Sequence, residues 1–138
     1  MLVLAYLRLT PADWAWVQVL RARHDARYSG VVDPHFTLVF PVHGLVSDTF
    51  VAHVERQAKG IEPIWFVLRQ AVIEKDTFSA YTHVFLVPDE GYAAIVALHD
   101  RLYTGVLAAE QRTDIPFIPH IGVGNAVDPA ACRRVATS

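Results

Sequence analysis

Two consecutive apolar segments near the middle of the chain constrain its fold more than any other feature. Residues 61–75 (IEPIWFVLRQAVIEK) and 78–88 (FSAYTHVFLVP) both have a strand-like pattern, and only residues 76 and 77 separate them. So short a connection favours an antiparallel hairpin, because neighbouring parallel strands need a long crossover connection. The sequence therefore predicts an α+β sheet fold rather than a doubly wound parallel one.

Helix start signals and further strand patterns surround this hairpin. Thr10-Pro11 and Asp128-Pro129 are typical helix starts, because the side-chain oxygen can accept a hydrogen bond from the first turn and proline suits the first helical position. Further helices are predicted after Ser47 or Asp48 and after Asp89, and further strands at 2–9, 35–42 and 117–124. The predicted order is therefore β-α-β-α-β-β-α-β-α.

Composition predicts a single domain over residues 1–138, because 138 residues of which 53% are hydrophobic suffice for one well-filled core. The single cysteine, Cys132, excludes an internal disulfide and is typical of a reducing compartment. No apolar run reaches membrane-spanning length, and Arg8 comes too early for a signal peptide. We therefore expect a cytoplasmic, monomeric protein with no membrane partner.

The charge of the chain limits its partners. A net charge of −2 argues against wrapping long nucleic acid, whose binding proteins usually carry a basic surface. A small anionic ligand remains compatible, because one or two local cations can hold a single phosphate. The two close arginine pairs, Arg21 with Arg23 and Arg133 with Arg134, are predicted to lie on solvated helix faces.

Two histidines in apolar strand patterns are the candidate functional residues. Side chains alternate along a strand, so His35 and Thr37 share one face, and His120 and Gly122 share a face in the same way. The opposite face of the first segment is apolar and is predicted to lie in the core; it consists of Phe36, Leu38 and Phe40. A proline precedes each histidine and favours an extended entry. Either histidine alone is more simply explained as a hydrogen-bonded core residue, but the pair is more informative.

The segments HFTL (35–38) and HIGV (120–123) resemble the two His-x-Thr/Ser-x motifs of the two-histidine (2H) phosphoesterases. That superfamily includes the 2′-5′ RNA ligases and cyclic nucleotide phosphodiesterases. The resemblance covers most of the chain and implies a bilobal α+β fold, with two antiparallel-rich sheets around a central groove and helices outside. It also implies two pseudo-symmetric lobes and a site that needs no metal and no cofactor.

The resemblance assigns roles residue by residue. His35 matches the proton donor and His120 the proton acceptor, and Thr37 matches the hydroxyl that holds a phosphate oxygen. Gly122 departs from the pattern, because the family has threonine or serine there. Its backbone N–H could replace the missing hydroxyl, and we expect a weaker or altered activity.

Histidine suits such chemistry, because its unperturbed pKa near 6.5 lets it act as acid or base at pH 7. The sequence therefore predicts an enzyme, a metal-free phosphodiesterase that hydrolyses a 2′,3′-cyclic phosphate or a related small nucleotide or RNA end. Its partner would be a small nucleotide or an RNA-terminal phosphate. Two alternatives stay open: a non-catalytic or weakly active nucleotide-binding module, and a structural domain with two buried histidines.

Other residues are weaker candidates for contacts with the substrate. The candidates comprise His43, His83, Tyr81, Phe85, Arg69 and Arg112, with Trp65 and Phe66 as further aromatic residues that could stack on a base. The remaining histidines, His24, His53 and His99, fall in predicted helices and are expected at the surface or its boundary. A metal site built from His35, His83 and His120 is conceivable, but no carboxylate or cysteine has ligand-like spacing.

Overall fold

The computed structural model describes residues 1–76 and 79–136, with side chains as far as residue 133. Within these residues the strands and helices follow the predicted order. Their bounds are β1 Val3–Tyr6, α1 Pro11–His24, β2 His35–Val39, α2 Ser47–Ala58, β3 Leu68–Lys75, β4 Thr82–Pro88, α3 Tyr92–Leu102, β5 Ile121–Ala126 and α4 Pro129–Ala136. A 3-10 helix at Gly105–Glu110, which the sequence analysis did not predict, follows α3. Phe78, the predicted start of a strand, lies outside the described residues.

Two of the predicted helix starts are confirmed in detail. The Thr10 hydroxyl accepts a hydrogen bond of 3.2 Å from the Asp13 N–H, and the Asp128 carboxylate accepts one of 3.0 Å from the Ala130 N–H. A helix follows Asp89 as predicted, but Asp89 as its cap is wrong, because α3 begins after Gly91, whose φ is +87°. The Val67 N–H donates to the Glu90 carbonyl, and the Val67 carbonyl accepts from the Asp89 N–H, so residues 89 and 90 are held in a turn. Glycine adopts the positive φ that follows at residue 91 without steric cost.

The strands are shorter than the sequence predicts. Residues 61–67 are irregular, and β3 begins only at Leu68. Strand β2 ends at Val39, where the Phe40 N–H leaves the ladder and donates to the Tyr103 hydroxyl over 3.0 Å. Phe40 is consequently 45% exposed, so the prediction that it lies in the core is wrong. Strand β5 begins at Ile121, because Pro116 and Pro119 cannot donate to a ladder.

The strands form two antiparallel sheets, which confirms the predicted α+β class. Strand β1 pairs with β2, and Tyr6 lies opposite His35. The second sheet has the order β3-β4-β5, with Phe85 opposite Gly122. Strands β2 and β5 contact each other, so the two segments that carry the histidine motifs meet where the sheets adjoin.

Strand β4 separates the core from the half-buried face that carries candidate residues. Thr82, Val84 and Leu86 are buried on one face, where α4 packs. His83 and Phe85 alternate with them and are half-buried on the other face. The core is closed by aliphatic residues of β2 and β5 and by helices α1, α2 and α3, each buried large aliphatic side chain contributing about 1.5–3 kcal/mol. None of the helices in residues 1–76 and 79–136 is long and apolar enough to cross a membrane.

Three polar side chains are buried that were predicted at the surface or its boundary. Arg21 is 2% exposed because it pairs with Asp25 and donates to two backbone carbonyls. His53 is buried with its Nε2 2.8 Å from the Leu102 carbonyl oxygen. His99 is buried with its ring stacked on Phe117, and its Nδ1 lies 3.0 Å from the Asp100 carboxylate.

Candidate functional site

The first motif histidine begins strand β2, directly after Asp33-Pro34. Its Nδ1 lies 2.7 Å from the Asp33 carbonyl oxygen. A carbonyl oxygen can only accept a hydrogen bond, so Nδ1 of His35 carries the hydrogen. This contact orients the ring and leaves Nε2 to meet a ligand.

The second motif histidine repeats this arrangement from a different secondary structure. His120 lies one residue before β5, and its Nδ1 is 2.7 Å from the Ile118 carbonyl oxygen. The contact again reaches back two residues across a proline, Pro119. Both rings are therefore oriented through Nδ1, and both present Nε2.

The surroundings of His120 favour its neutral form. Burial, the largest cause, lowers the pKa of His120 below its ordinary value of 6.5, and positive charge on His83 and on His35 lowers it further. The hydrogen bond to Ile118 acts in the opposite direction. His120 is consequently neutral at pH 7, with its Nε2 lone pair available to accept a proton.

The two small motif residues lie beside the histidines. Thr37 is half-buried and shares its face of β2 with His35. Gly122 lies opposite Phe85 on β4, and a Cβ built on it would meet only one Phe85 ring carbon, at 4.0 Å. Packing therefore does not require glycine at this position, and the space that a side chain would fill is open.

Phe85 and His83 form a row of rings beside His120. Phe85 stacks on His120 with ring centroids 3.8 Å apart, and on His83 with centroids 5.4 Å apart. The Nε2 of His83 lies 3.0 Å from the Asp76 carboxylate. Phe85 thus contacts the motif histidine itself, and His83 acts on it through charge.

The other candidates from the sequence are not part of this row of rings. Tyr81 is half-buried just before β4, with the Arg27 guanidinium 4.3 Å from its ring centroid. His43 is exposed in the loop after β2. Arg69 pairs with Asp89 and Glu90, whereas Arg112 forms two hydrogen bonds with the Asp114 carboxylate, which lowers the pKa of that carboxyl to about 2. A role for either arginine in holding phosphate stays a prediction. Each guanidinium is paired with a carboxylate, and this ion pair would have to break before the arginine could bind phosphate.

Sequence reasoning missed a buried network that holds both motif segments. The Arg21 guanidinium donates to the Val32 carbonyl oxygen over 2.6 Å, in the loop that leads into His35. Asp25 accepts from the side chain of Asn125 on β5, the strand that follows His120. The spacing of Arg21 and Asp25, four apart at the end of a helix, was the available signal.

No group of three or more residues that could hold a metal ion occurs among the described histidines, cysteines, aspartates and glutamates. Two surface pockets, of about 430 and 260 Å³, lie on other parts of the molecule. The first lies between residues 61–65 and α3, and the second between β1 and α2. Neither is lined by a candidate residue, apart from Trp65 in the first.

Comparison with known proteins identifies the family. The family model of the 2′-5′ RNA ligase superfamily matches residues 9–138. The chain belongs to the 2′-5′ RNA ligase superfamily. The resemblance first seen in the two histidine motifs is therefore confirmed, and the two antiparallel sheets agree with the 2H phosphoesterase fold.

Two curated relatives of the chain are both named "Putative phosphoesterase". One, from Geobacillus sp. (strain WCH70), is 27% identical over 104 residues, which are 75% of this chain and 57% of the relative. The other, from Bacillus licheniformis, is 26% identical over 105 residues, which are 75% of this chain and 58% of the relative. The match thus spans little more than half the length of each relative.

Proposed function

We propose that this protein hydrolyses the cyclic phosphodiester of a 2′,3′-cyclic nucleotide or RNA end, with two histidines as general acid and base and no metal. One observation carries the proposal. His35 begins β2 and His120 directly precedes β5, and these strands contact each other. Each ring is tied through Nδ1 to a carbonyl oxygen two residues back, which leaves Nε2 for the substrate. Membership of a superfamily with phosphoesterase relatives supports the same chemistry.

The proton transfers follow the roles that the resemblance implies, and the lowered pKa of His120 suits the role of the base. Neutral His120 accepts a proton from a water molecule, whose oxygen attacks phosphorus. The bond from phosphorus to one ribose oxygen breaks, and protonated His35 donates its Nε2 proton to that oxygen. The products are a nucleoside monophosphate and an enzyme with the two protonation states exchanged. General acid–base catalysis of this kind supplies about 10²–10⁴-fold.

Charge on the phosphate oxygens needs hydrogen-bond donors in the transition state. The Thr37 hydroxyl lies on the face of His35 and is suited to donate to one of these oxygens. On the other side Gly122 offers no side chain, so a backbone N–H is the donor there. A single such donor is worth about 10²–10³-fold in a preorganised site. The missing hydroxyl is therefore expected to reduce the rate rather than the affinity.

The direct test is an assay with nucleoside 2′,3′-cyclic monophosphates. We expect turnover by the wild-type protein and a loss of at least about a hundredfold in kcat for His35→Ala and for His120→Ala. His24→Ala, at the end of α1, is the matched control and should retain activity. Turnover that persists unchanged in both motif variants would contradict the proposal.

The absence of a hydroxyl at residue 122 favours one second candidate, a nucleotide-binding module without turnover. The two candidates differ in their response to Gly122→Ser, which fills open space. A gain in rate supports the enzyme. Tight binding of a nucleoside monophosphate with no turnover in either form supports the module.

A further inference from the structure

We infer that Tyr6 is the platform on which the base of the substrate stacks, so that the ligand must carry a nucleobase. This inference rests on the proposed function and names the part of the substrate that the two histidines do not contact. Tyr6 ends strand β1 and lies directly opposite His35 in the antiparallel pair. Directly opposed residues point to the same face of a sheet, so the phenol ring borders the candidate catalytic ring.

The Tyr6 side chain is available to a ligand. Its exposed fraction is 61%, although the residue is paired within a sheet. The Tyr6 and His35 ring centroids are 6.3 Å apart with an interplanar angle of 72°. The two rings therefore meet edge to face rather than stacking, and a face of the phenol ring stays open to solvent.

The aromatic residues that the sequence suggested as base-stacking partners are either packed against other groups or lie away from the motif strands. Phe85 stacks on both His83 and His120, and Tyr81 lies against the Arg27 guanidinium. Trp65, although 88% exposed, lines the pocket beside α3 instead of the motif strands. Phe66 packs edge to face on Phe36 in the core. Unlike these four residues, Tyr6 combines an open ring face with a position directly beside His35.

The chemistry of such a platform selects a nucleotide. Single-strand nucleic-acid sites use exposed aromatic rings in this way, because every base has a π-face and stacking tolerates its identity. A phosphate held between the two Nε2 atoms leaves the attached ribose and base to extend past His35. The base then reaches the neighbouring ring on β1. Discrimination between purine and pyrimidine is expected to be weak, and discrimination against a base-free diester strong.

The experiment compares two substrates in matched variants. One substrate is a nucleoside 2′,3′-cyclic monophosphate, and the other is methyl riboside 2′,3′-cyclic phosphate, which lacks the base. Tyr6→Ala should lose about 5- to 150-fold in kcat/KM on the nucleotide, the range that corresponds to about 1–3 kcal/mol for stacking one base. It should leave the base-free substrate unchanged within about twofold, and Tyr6→Phe should behave as wild type on both, because the ring rather than the hydroxyl stacks.

A control and a second measurement keep the inference separate from the proposed function. Trp16→Ala removes an aromatic residue of similar exposure, 58%, from helix α1 and should change neither substrate. Equal losses of Tyr6→Ala on both substrates, or no loss on either, would overturn the stacking role while hydrolysis stands. If the wild type hydrolyses neither substrate, the proposed function fails. The affinity for a nucleoside monophosphate, measured by titration, then tests whether Tyr6 stacks on a base. Binding weakened in Tyr6→Ala alone supports the platform, whereas equal or absent binding in wild type and variant rejects it.

Discussion

Replacement of Arg21 by alanine tests whether a buried ion pair supports both motif segments. Arg21 and Asp25 are 2% and 3% exposed, and their Nε and Oδ2 atoms are 3.4 Å apart. The guanidinium also donates to the carbonyl oxygens of Tyr28 and Val32, in the loop before His35. It donates as well to the Gln18 side-chain oxygen over 3.4 Å. Its removal therefore takes one donor away from a carboxylate, two backbone carbonyls and an amide oxygen.

The size of the expected stability loss depends on the hydrogen bonds that the Asp25 carboxylate retains. Breaking a buried pair by removing one partner typically costs about 3–5 kcal/mol of the free energy of unfolding. Asp25 retains hydrogen bonds from the Tyr28 N–H and from the Asn125 side chain, which offset part of that cost. We therefore expect the lower end, a loss of about 3 kcal/mol for Arg21→Ala. Arg21→Lys keeps the charge but loses the planar fork and should fall in between.

Urea unfolding, followed by circular dichroism, measures this loss. With an m-value of about 1–3 kcal/mol per molar, the midpoint for Arg21→Ala should fall by about 1–3 M. Arg23→Ala, on the exposed face of the same helix, is the matched control and should stay within about 0.5 kcal/mol of wild type. The double variant Arg21→Ala/Asp25→Ala should cost less than the two single changes together, by about 0.5–3 kcal/mol. A loss below about 1 kcal/mol for Arg21→Ala, or strict additivity with Asp25→Ala, would refute the reasoning.

Three further predictions concern the second motif and strand β5, which follows His120. Gly122→Ser should raise kcat about tenfold or more, because it adds a hydroxyl donor in open space. Gly122→Ala adds only a methyl group and should not raise it. Equal rates for the two variants in the cyclic phosphate assay would contradict this prediction. Because the pKa of His120 is lowered, the acidic limb of kcat/KM should lie below pH 6.5. His83→Asn removes a like charge and should move this limb to higher pH. A limb that stays in place in the pH–rate profile would argue against an effect of His83 on His120. Gly124→Ala should lower the free energy of unfolding by about 1–3 kcal/mol, since the added Cβ would lie 3.3 Å from the Cβ of His24. Gly122→Ala should be neutral or stabilising. Similar urea midpoints for the two variants would show that the close approach to His24 relaxes.

The pH dependence of stability follows from the same lowered pKa. Because the unfolded chain binds a proton at His120 more tightly than the folded chain does, stability from this group is complete above the ordinary pKa of 6.5. It is lost as the pH falls from there through the lowered folded-state value. Replacement of His120 by glutamine should therefore flatten the unfolding free energy over this range.

The local features of the protein could be predicted from its sequence, because they depend on residues close together in the chain. The Thr10 and Asp128 caps bind N–H groups two or three residues away, so a short window contains all of their partners. The alternation along β4 is likewise a property of the strand backbone itself. The two histidine motifs also led to the correct superfamily, because chemistry restricts which residue types stand at those positions.

Tertiary structure decided which polar groups are buried and which rings meet. Arg21 looked like a surface residue because its acceptors at Tyr28 and Val32 are backbone oxygens, which no side-chain pattern reveals. The bond between Asp25 and Asn125 joins residues 100 positions apart, and only the folded sheets bring them together. In the sequence, nothing distinguishes Tyr6 from the apolar residues around it. Only the pairing of β1 with β2 brings it beside His35. Local interactions act within a few residues and leave a trace in the sequence, whereas burial and cross-strand contact depend on what the rest of the chain packs against them.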